Sequence, residues 1–264
     1  MNMNKHESKT RPVMGLIVSI RVHSWLNVFF PRSRRVIVAI FAITTLLDGA
    51  TVHGRVEIVS SKDPGVRKHS DFSGVVVWLD PVSGAAPPPQ PRQAEMVQRG
   101  KRFVPHVLAI TVGSTVDFPN YDPIFHNAFS NYDGQVFDVG LYPPGTARSV
   151  PFRKEGIVRI FCDIHPTMSA IIVVLRSPYY GVSASNGEFS IANVPPGAYR
   201  LRVFHERATQ QTLNELTRTV EVTGTDVGLG NLTVSESGYL LLPHKNKYGK
   251  EYPVAAGTYS GSKQ

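Results

Sequence analysis

The stretch RIFCDIHPTMSAIIVVL, residues 159–175, contains the single cysteine of the chain, Cys162. His165 and Met168 follow it at equal steps of three. The run SAIIVVL (169–175) is almost wholly apolar, as expected of a strand buried on both faces. RIFC reads as the end of a preceding strand. His165 and Met168 therefore share one loop between two adjacent strands, where both side chains can fold over a single point.

Outward from this stretch, the 264-residue chain is rich in turn formers, with 22 Gly and 20 Pro among short apolar runs. That mixture predicts an all-β chain. TVHGRVEIV (51–59) and SGVVVWLDP (73–81) read as strands on either side of a polar loop. AAPPPQPR (85–92) is a proline-rich loop. RFVPHVLAITVGSTVDFPN (102–120) holds two strands around the turn at Gly113 and Ser114. TARSVPF (146–152) and GIVRIFC (156–162) read as a hairpin. YYGVSASNGEFSIANVPPGAYRLRVFHE (179–206) turns at Asn186-Gly187 and at Pro195-Pro196-Gly197, with Tyr199, Leu201 and Val203 alternating against polar neighbours. Two further strands follow, in 217–224 and 227–234. From Ser237 the chain reads as a loose polar tail.

The first fifty residues resemble a secretory signal. Arg32, Arg34 and Arg35 precede a 12-residue apolar run, Val36–Leu47, and a small-residue exit at Gly49-Ala50. The run is short for a membrane span, which needs about 20 residues. Left uncleaved, the segment would tether the chain to a membrane. The net charge of +8 comes largely from this leader, which holds seven Lys or Arg against two carboxylates; the remainder has 21 against 18. No basic stripe interleaved with aromatics is present, which argues against nucleic-acid binding.

A lone cysteine in an exported chain cannot form an internal disulfide. It is buried and inert, paired with another chain, reactive, or a metal ligand. A thiolate, an imidazole and a thioether in one loop form a soft donor set suited to copper. The set lacks a second imidazole, and His126 in DFPNYDPIFHNAFS (117–130) is the candidate. It lies just after a strand, with an Asp122-Pro123 turn that aims it inward. Two imidazoles and a thiolate with a weak axial thioether make the blue-copper arrangement. His106, with no ligand spacing around it, reads as structural or exposed, and His205-Glu206 as an exposed strand end.

Cys162-Asp163-Ile164-His165-Pro166-Thr167-Met168 resembles the short Cys-x-x-His-Pro-x-Met ligand loop of amicyanin, so residues 102–175 resemble a cupredoxin. The resemblance implies a Greek-key β-sandwich over 51–176, provided the strands of 51–81 belong to it. It also implies one type 1 copper held by His126, Cys162, His165 and Met168. Asn127 would hydrogen-bond across to the cysteine loop and lock it. The implied role is single-electron transfer, not enzymatic turnover, with a redox partner such as a cytochrome or a dehydrogenase. Phe125, Tyr142, Pro143, Pro144 and Pro166 would form an apolar docking patch around His165. Asp163 departs from the pattern by placing a carboxylate inside the ligand loop.

Residues 177–236 resemble the carboxypeptidase regulatory-like, transthyretin-like β-sandwich, a packing module with no chemistry of its own. The expected organisation is thus an export signal or anchor (1–50), a copper domain (51–176), a second small sandwich (177–236) and a polar tail (237–264). The combination resembles bacterial methylamine utilization or plastocyanin-like proteins. No P-loop, GxGxxG, nucleophile elbow or HExxH occurs. Two other roles stay open at this level: storage or delivery of copper through the same ligands, and non-redox surface attachment.

Overall fold

The computed structural model describes residues 49–84, 87–131, 134–240 and 245–252. The apolar run of the leader lies outside them. Among the described residues no helix is long and apolar enough to cross a membrane. The chain is all-β, and the described residues form short strands with two six-residue helices.

The alternation in the first strand segment gives β1 (Ala50–Val59), which buries Val52, Val56 and Ile58 and exposes His53, Arg55 and Glu57. Helix α1 (Pro64–His69) is capped by Asp63, whose carboxylate accepts from the N–H groups of Gly65 and Val66. β2 (Val76–Pro81) follows. Next come β3 (Gln93–Glu95), β4 (Val97–Gln98), β5 (Phe103–Val104), β6 (Val107–Thr111) and β7 (Thr115–Pro119). Then follow β8 (Phe129–Ser130), β9 (Phe137–Asp138), β10 (Ala147–Pro151), β11 (Gly156–Phe161) and β12 (Ser169–Leu175). The remainder is β13 (Tyr180–Val182), β14 (Glu188–Val194), β15 (Gly197–Phe204), α2 (Gln210–Glu215), β16 (Arg218–Val222) and β17 (Val227–Ser235).

These strands build two sandwiches. In one, the sheet β10-β7-β3 faces the sheet β6-β12-β11-β8-β9. Val116, Phe118 and Val150 meet Ile110, Val158, Ile160 and Ile172 in its core. In the other, the sheet β14-β1-β17 faces β13-β2-β15-β16, and Val52, Val56, Leu79, Ile191, Leu201 and Leu232 fill the core between them.

Two expectations from the sequence are corrected here. The strands of 51–81 do not belong with the Cys162 sandwich. β1 runs parallel to β17 and antiparallel to β14, while β2 lies between β13 and β15. The second sandwich is therefore assembled from both sides of the first in sequence. Alternation reveals that a strand has a dry face, not which sheet receives it. Nor do TARSVPF and GIVRIFC form a hairpin. β10 pairs with β7, and β11 with β12 and β8. The short link crosses between facing sheets, so Val150 and Val158 meet in the core from opposite sides.

A third apolar layer joins the two sandwiches. Val107, Ala109, Ile171, Val173 and Leu175 pack against Val76 and Phe204. β12 therefore has no wet face: Ala170, Ile172 and Val174 enter the Cys162 core, and Ile171, Val173 and Leu175 enter the joint. A polar bridge flanks the joint: His106 Nδ1 lies 3.0 Å from the Ser169 carbonyl and Nε2 2.9 Å from Glu206.

Burial on both faces predicts that Ile171→Ala and Ile172→Ala each cost about 2–5 kcal/mol in chemical denaturation. A strand with one solvated face would show that cost at only one of the two positions.

Candidate metal centre

Cys162 directly follows β11, and Met168 directly precedes β12. The pairing of Phe161 with Ser169 fixes both ends of the loop. Two backbone bonds close it: Cys162 N–H donates to the Met168 carbonyl at 3.2 Å, and Met168 N–H to the His165 carbonyl at 3.0 Å. The three-residue steps of the sequence thus become a tight turn. Cys162 and Met168 are fully buried in one core cluster, and His165 is half-buried at its edge.

His126 arrives from the loop after β7. Asn120 folds that loop, donating to the Ile124 carbonyl at 2.8 Å and accepting the Asp122 N–H at 3.0 Å. The backbone of His126 exchanges hydrogen bonds with Tyr142 at 3.2 and 2.9 Å. Its fully buried ring places Nδ1 3.9 Å from the Cys162 sulfur. His165 Nδ1 lies 3.5 Å from the same sulfur. The three donor atoms lie within 4.8 Å of one another, the one such His/Cys/Asp/Glu group among the described residues.

The electrostatics suit a metal. Burial pushes the Cys162 thiol above its ordinary value, while the backbone N–H groups of Ile164, Asn127 and His165 are aimed at the sulfur and oppose the rise. Those donors are in place for a thiolate whose charge a cation would balance. Burial, with His126 and Lys101 nearby, holds His165 below the ordinary histidine value, so a neutral imidazole is available to ligate.

Asp122 is the contributor that sequence reading missed. Its carboxylate lies 2.8 Å from His126 Nε2, which leaves Nδ1 to face the sulfur. The N–H groups of Gly100 and Lys101 donate to the same carboxylate at 2.6 and 2.8 Å. Burial alone would raise Asp122, but these donors and His126 together hold it below the ordinary carboxylate value. The available signal was an acidic residue four positions before a ligand-type histidine, the usual source of an outer partner for the second ring nitrogen.

Several other expectations are corrected. The Asn127 side chain does not reach the cysteine loop; its amide donates to Asp138 at 2.7 Å, and its backbone N–H approaches the sulfur instead. Tyr142 is fully buried, with its hydroxyl donating to the Phe118 carbonyl at 2.8 Å, and it cannot join a surface patch. Phe125, Pro143, Pro144 and Pro166 are exposed, and so are Leu141 and Ile164. His205 is buried, not an exposed strand end, with Nε2 2.8 Å from Glu236. Part of the polar tail is docked: Lys247 N–H donates to Asp163 at 3.1 Å.

No protein-family model matches the chain. A 60-residue stretch is 37% identical to the methylamine utilization protein MauL of Methylorubrum extorquens, covering 22% of this chain and 53% of that protein. The chain thus spans about half the length of that curated relative. Among solved structures, the purple cupredoxin of Nitrosopumilus maritimus is 26% identical with a TM-score of 0.29, over 31% of this chain and 99% of its own. An oxidised amicyanin variant is 21% identical with a TM-score of 0.30, over 31% and 82%. The copper-containing nitrite reductase of Thermus scotoductus is 27% identical with a TM-score of 0.31, over 46% and 28%.

Asp122→Asn keeps the shape of the His126 partner and removes its charge. Competition titration with Co(II) or Cu(II) should show affinity reduced about 10–100-fold. Unchanged affinity would mean that Asp122 does not orient a ligand.

Proposed function

We propose that this chain is an exported copper protein that passes single electrons between redox partners. One type 1 copper would be held by His126, Cys162, His165 and Met168. The observation that carries the reading is the convergence of one buried thiol and two imidazole Nδ1 atoms from two separate loops. A thiolate and two imidazoles beside a buried thioether residue match the donor set of blue-copper sites. The chemistry that a copper ion supplies when bound in such a set is a one-electron couple between Cu(II) and Cu(I).

The chain's own residues supply the rest. To serve as a ligand Cys162 would release its proton to solvent, and the backbone N–H groups of Ile164, Asn127 and His165 would favour the resulting thiolate. Asp122 holds the His126 ring so that its inner nitrogen faces the sulfur. The loop bonds between Cys162, His165 and Met168 fix the sulfur between two β-strands. A set that changes little between oxidation states lowers the reorganisation needed for electron exchange. A ligand set that would come wholly from four side chains of the chain itself supports a carrier over an enzyme.

His165 is the ligand nearest solvent, and Phe125, Ile164, Pro143, Pro144 and Pro166 are exposed residues of the surrounding loops. Such an apolar rim suits brief docking of a redox protein, such as a cytochrome or a dehydrogenase. The Arg-flanked apolar run at 36–47 supports export, with the segment serving as a cleaved signal or an anchor.

The test is an absorption spectrum of the full chain titrated with Cu(II). One equivalent should give an intense visible thiolate-to-copper band, and Cys162→Ser should abolish it. Colourless protein that takes up only Cu(I) would replace electron transfer with copper handling. Absence of stoichiometric binding would refute the copper reading.

A further inference from the structure

We propose that residues 245–252 form a strap whose Lys247 and Tyr252 act as positioning residues for the ligand loop. This inference rests on the copper reading above.

The strap touches the loop at the ligand cysteine and at the residue next to it. Tyr252 Oη donates to the backbone carbonyl of Cys162 at 2.9 Å, across 90 residues of sequence. Lys247 N–H donates to Asp163 Oδ1 at 3.1 Å. Lys247 Nζ reaches Asp138 Oδ2 at 2.9 Å and lies 3.9 Å from Asp163 Oδ2. Asp138 in turn accepts from the Asn127 side chain at 2.7 Å. Lys247 therefore joins two carboxylates beside the centre: one adjoins Cys162, and the other is bonded to the neighbour of His126.

The strap is built to hold this shape. Asn246 Oδ1 accepts the N–H groups of Tyr248 and Lys250, both at 3.0 Å. Asn246 N–H donates to the Lys250 carbonyl and Gly249 N–H to the Asn246 carbonyl, both at 2.9 Å. Gly249 sits at φ +72°, a left-handed position that suits glycine. The Lys247 side chain is mostly covered and lies 5.3 Å from the centre of the Tyr248 ring. These contacts set one cation against two carboxylates and place a phenol on the carbonyl of the buried Cys162.

The strap also accounts for Asp163, the carboxylate that departs from the ligand-loop pattern. Without Lys247 it would stand as a bare negative charge beside the thiolate. With Lys247 bridging it to Asp138, the loop gains a partly covered, charge-assisted tie.

The experiment compares the full chain with a Lys247→Met/Tyr252→Phe double variant, using two readouts. In metal-free protein, hydrogen–deuterium exchange of the amides in 163–168 should quicken about tenfold in the variant, with β12 amides unchanged. In copper-loaded protein, the variant should keep one copper per chain, but its visible band should shift and its reduction potential should fall. Removing a cation while exposing two carboxylates favours the more positive oxidation state. Lys247→Arg with Tyr252 intact, which retains the charge, the side-chain donors and the phenol, should keep both readouts at their wild-type values. Stoichiometric copper with unchanged exchange and unchanged potential overturns the strap and leaves the copper reading standing. A wild-type chain that binds no copper overturns the copper reading, and with it any positioning role for the strap, whatever exchange shows.

Discussion

The loop from Cys162 to Met168 is closed by two backbone hydrogen bonds and clamped between paired residues of β11 and β12. That closure is the constraint on which the centre depends. It buries a thiol with no disulfide partner and surrounds it with backbone N–H groups. A neutral thiol uses those donors poorly, and a thiolate in the same place needs a cation. The histidines at 3.5 and 3.9 Å provide nitrogen donors for that cation. The geometry of one turn thus leads directly to a metal-type chemistry.

The fold holds that turn still. β12 is buried on both faces, one against the Cys162 core and the other against the second sandwich. A strand so enclosed cannot slip by one residue, because a slip would exchange its two apolar faces and misplace both packings. The second sandwich carries no ligand of the proposed centre. Its evident physical role is to cover the outer face of β6 and β12, which would otherwise present Val107, Ala109, Ile171 and Val173 to water. The polar network of His205, Arg207 and Glu236 ties the end of β15 to the end of β17 beside this joint.

Much of this was legible in the sequence. The lone cysteine, the spacing to His165 and Met168, and the strand-loop-strand context indicated a soft donor set, and the structure brings His126 to the same point. The all-apolar run SAIIVVL announced a doubly buried strand. Features set by pairing partners were not legible. β1 and β2 have the alternation of any half-buried strand, and nothing local shows that β14, β15 and β17 receive them. Asp122 has the local pattern of a turn residue, because its bond to His126 depends on how Asn120 folds the loop. His205 and Glu236 lie 31 residues apart and meet only after β15 and β17 are placed. Lys247 and Tyr252 sit in polar sequence with no periodicity, and only contact across some ninety residues gives them a role.

The central claim is that one sulfur and two imidazoles surround a single copper ion. X-ray absorption at the copper edge of the loaded full chain measures that directly. The account predicts one short sulfur scatterer and two nitrogen scatterers with imidazole multiple scattering, and loss of the sulfur shell in a variant lacking the thiol. A shell of nitrogen and oxygen alone in the wild-type chain would contradict it.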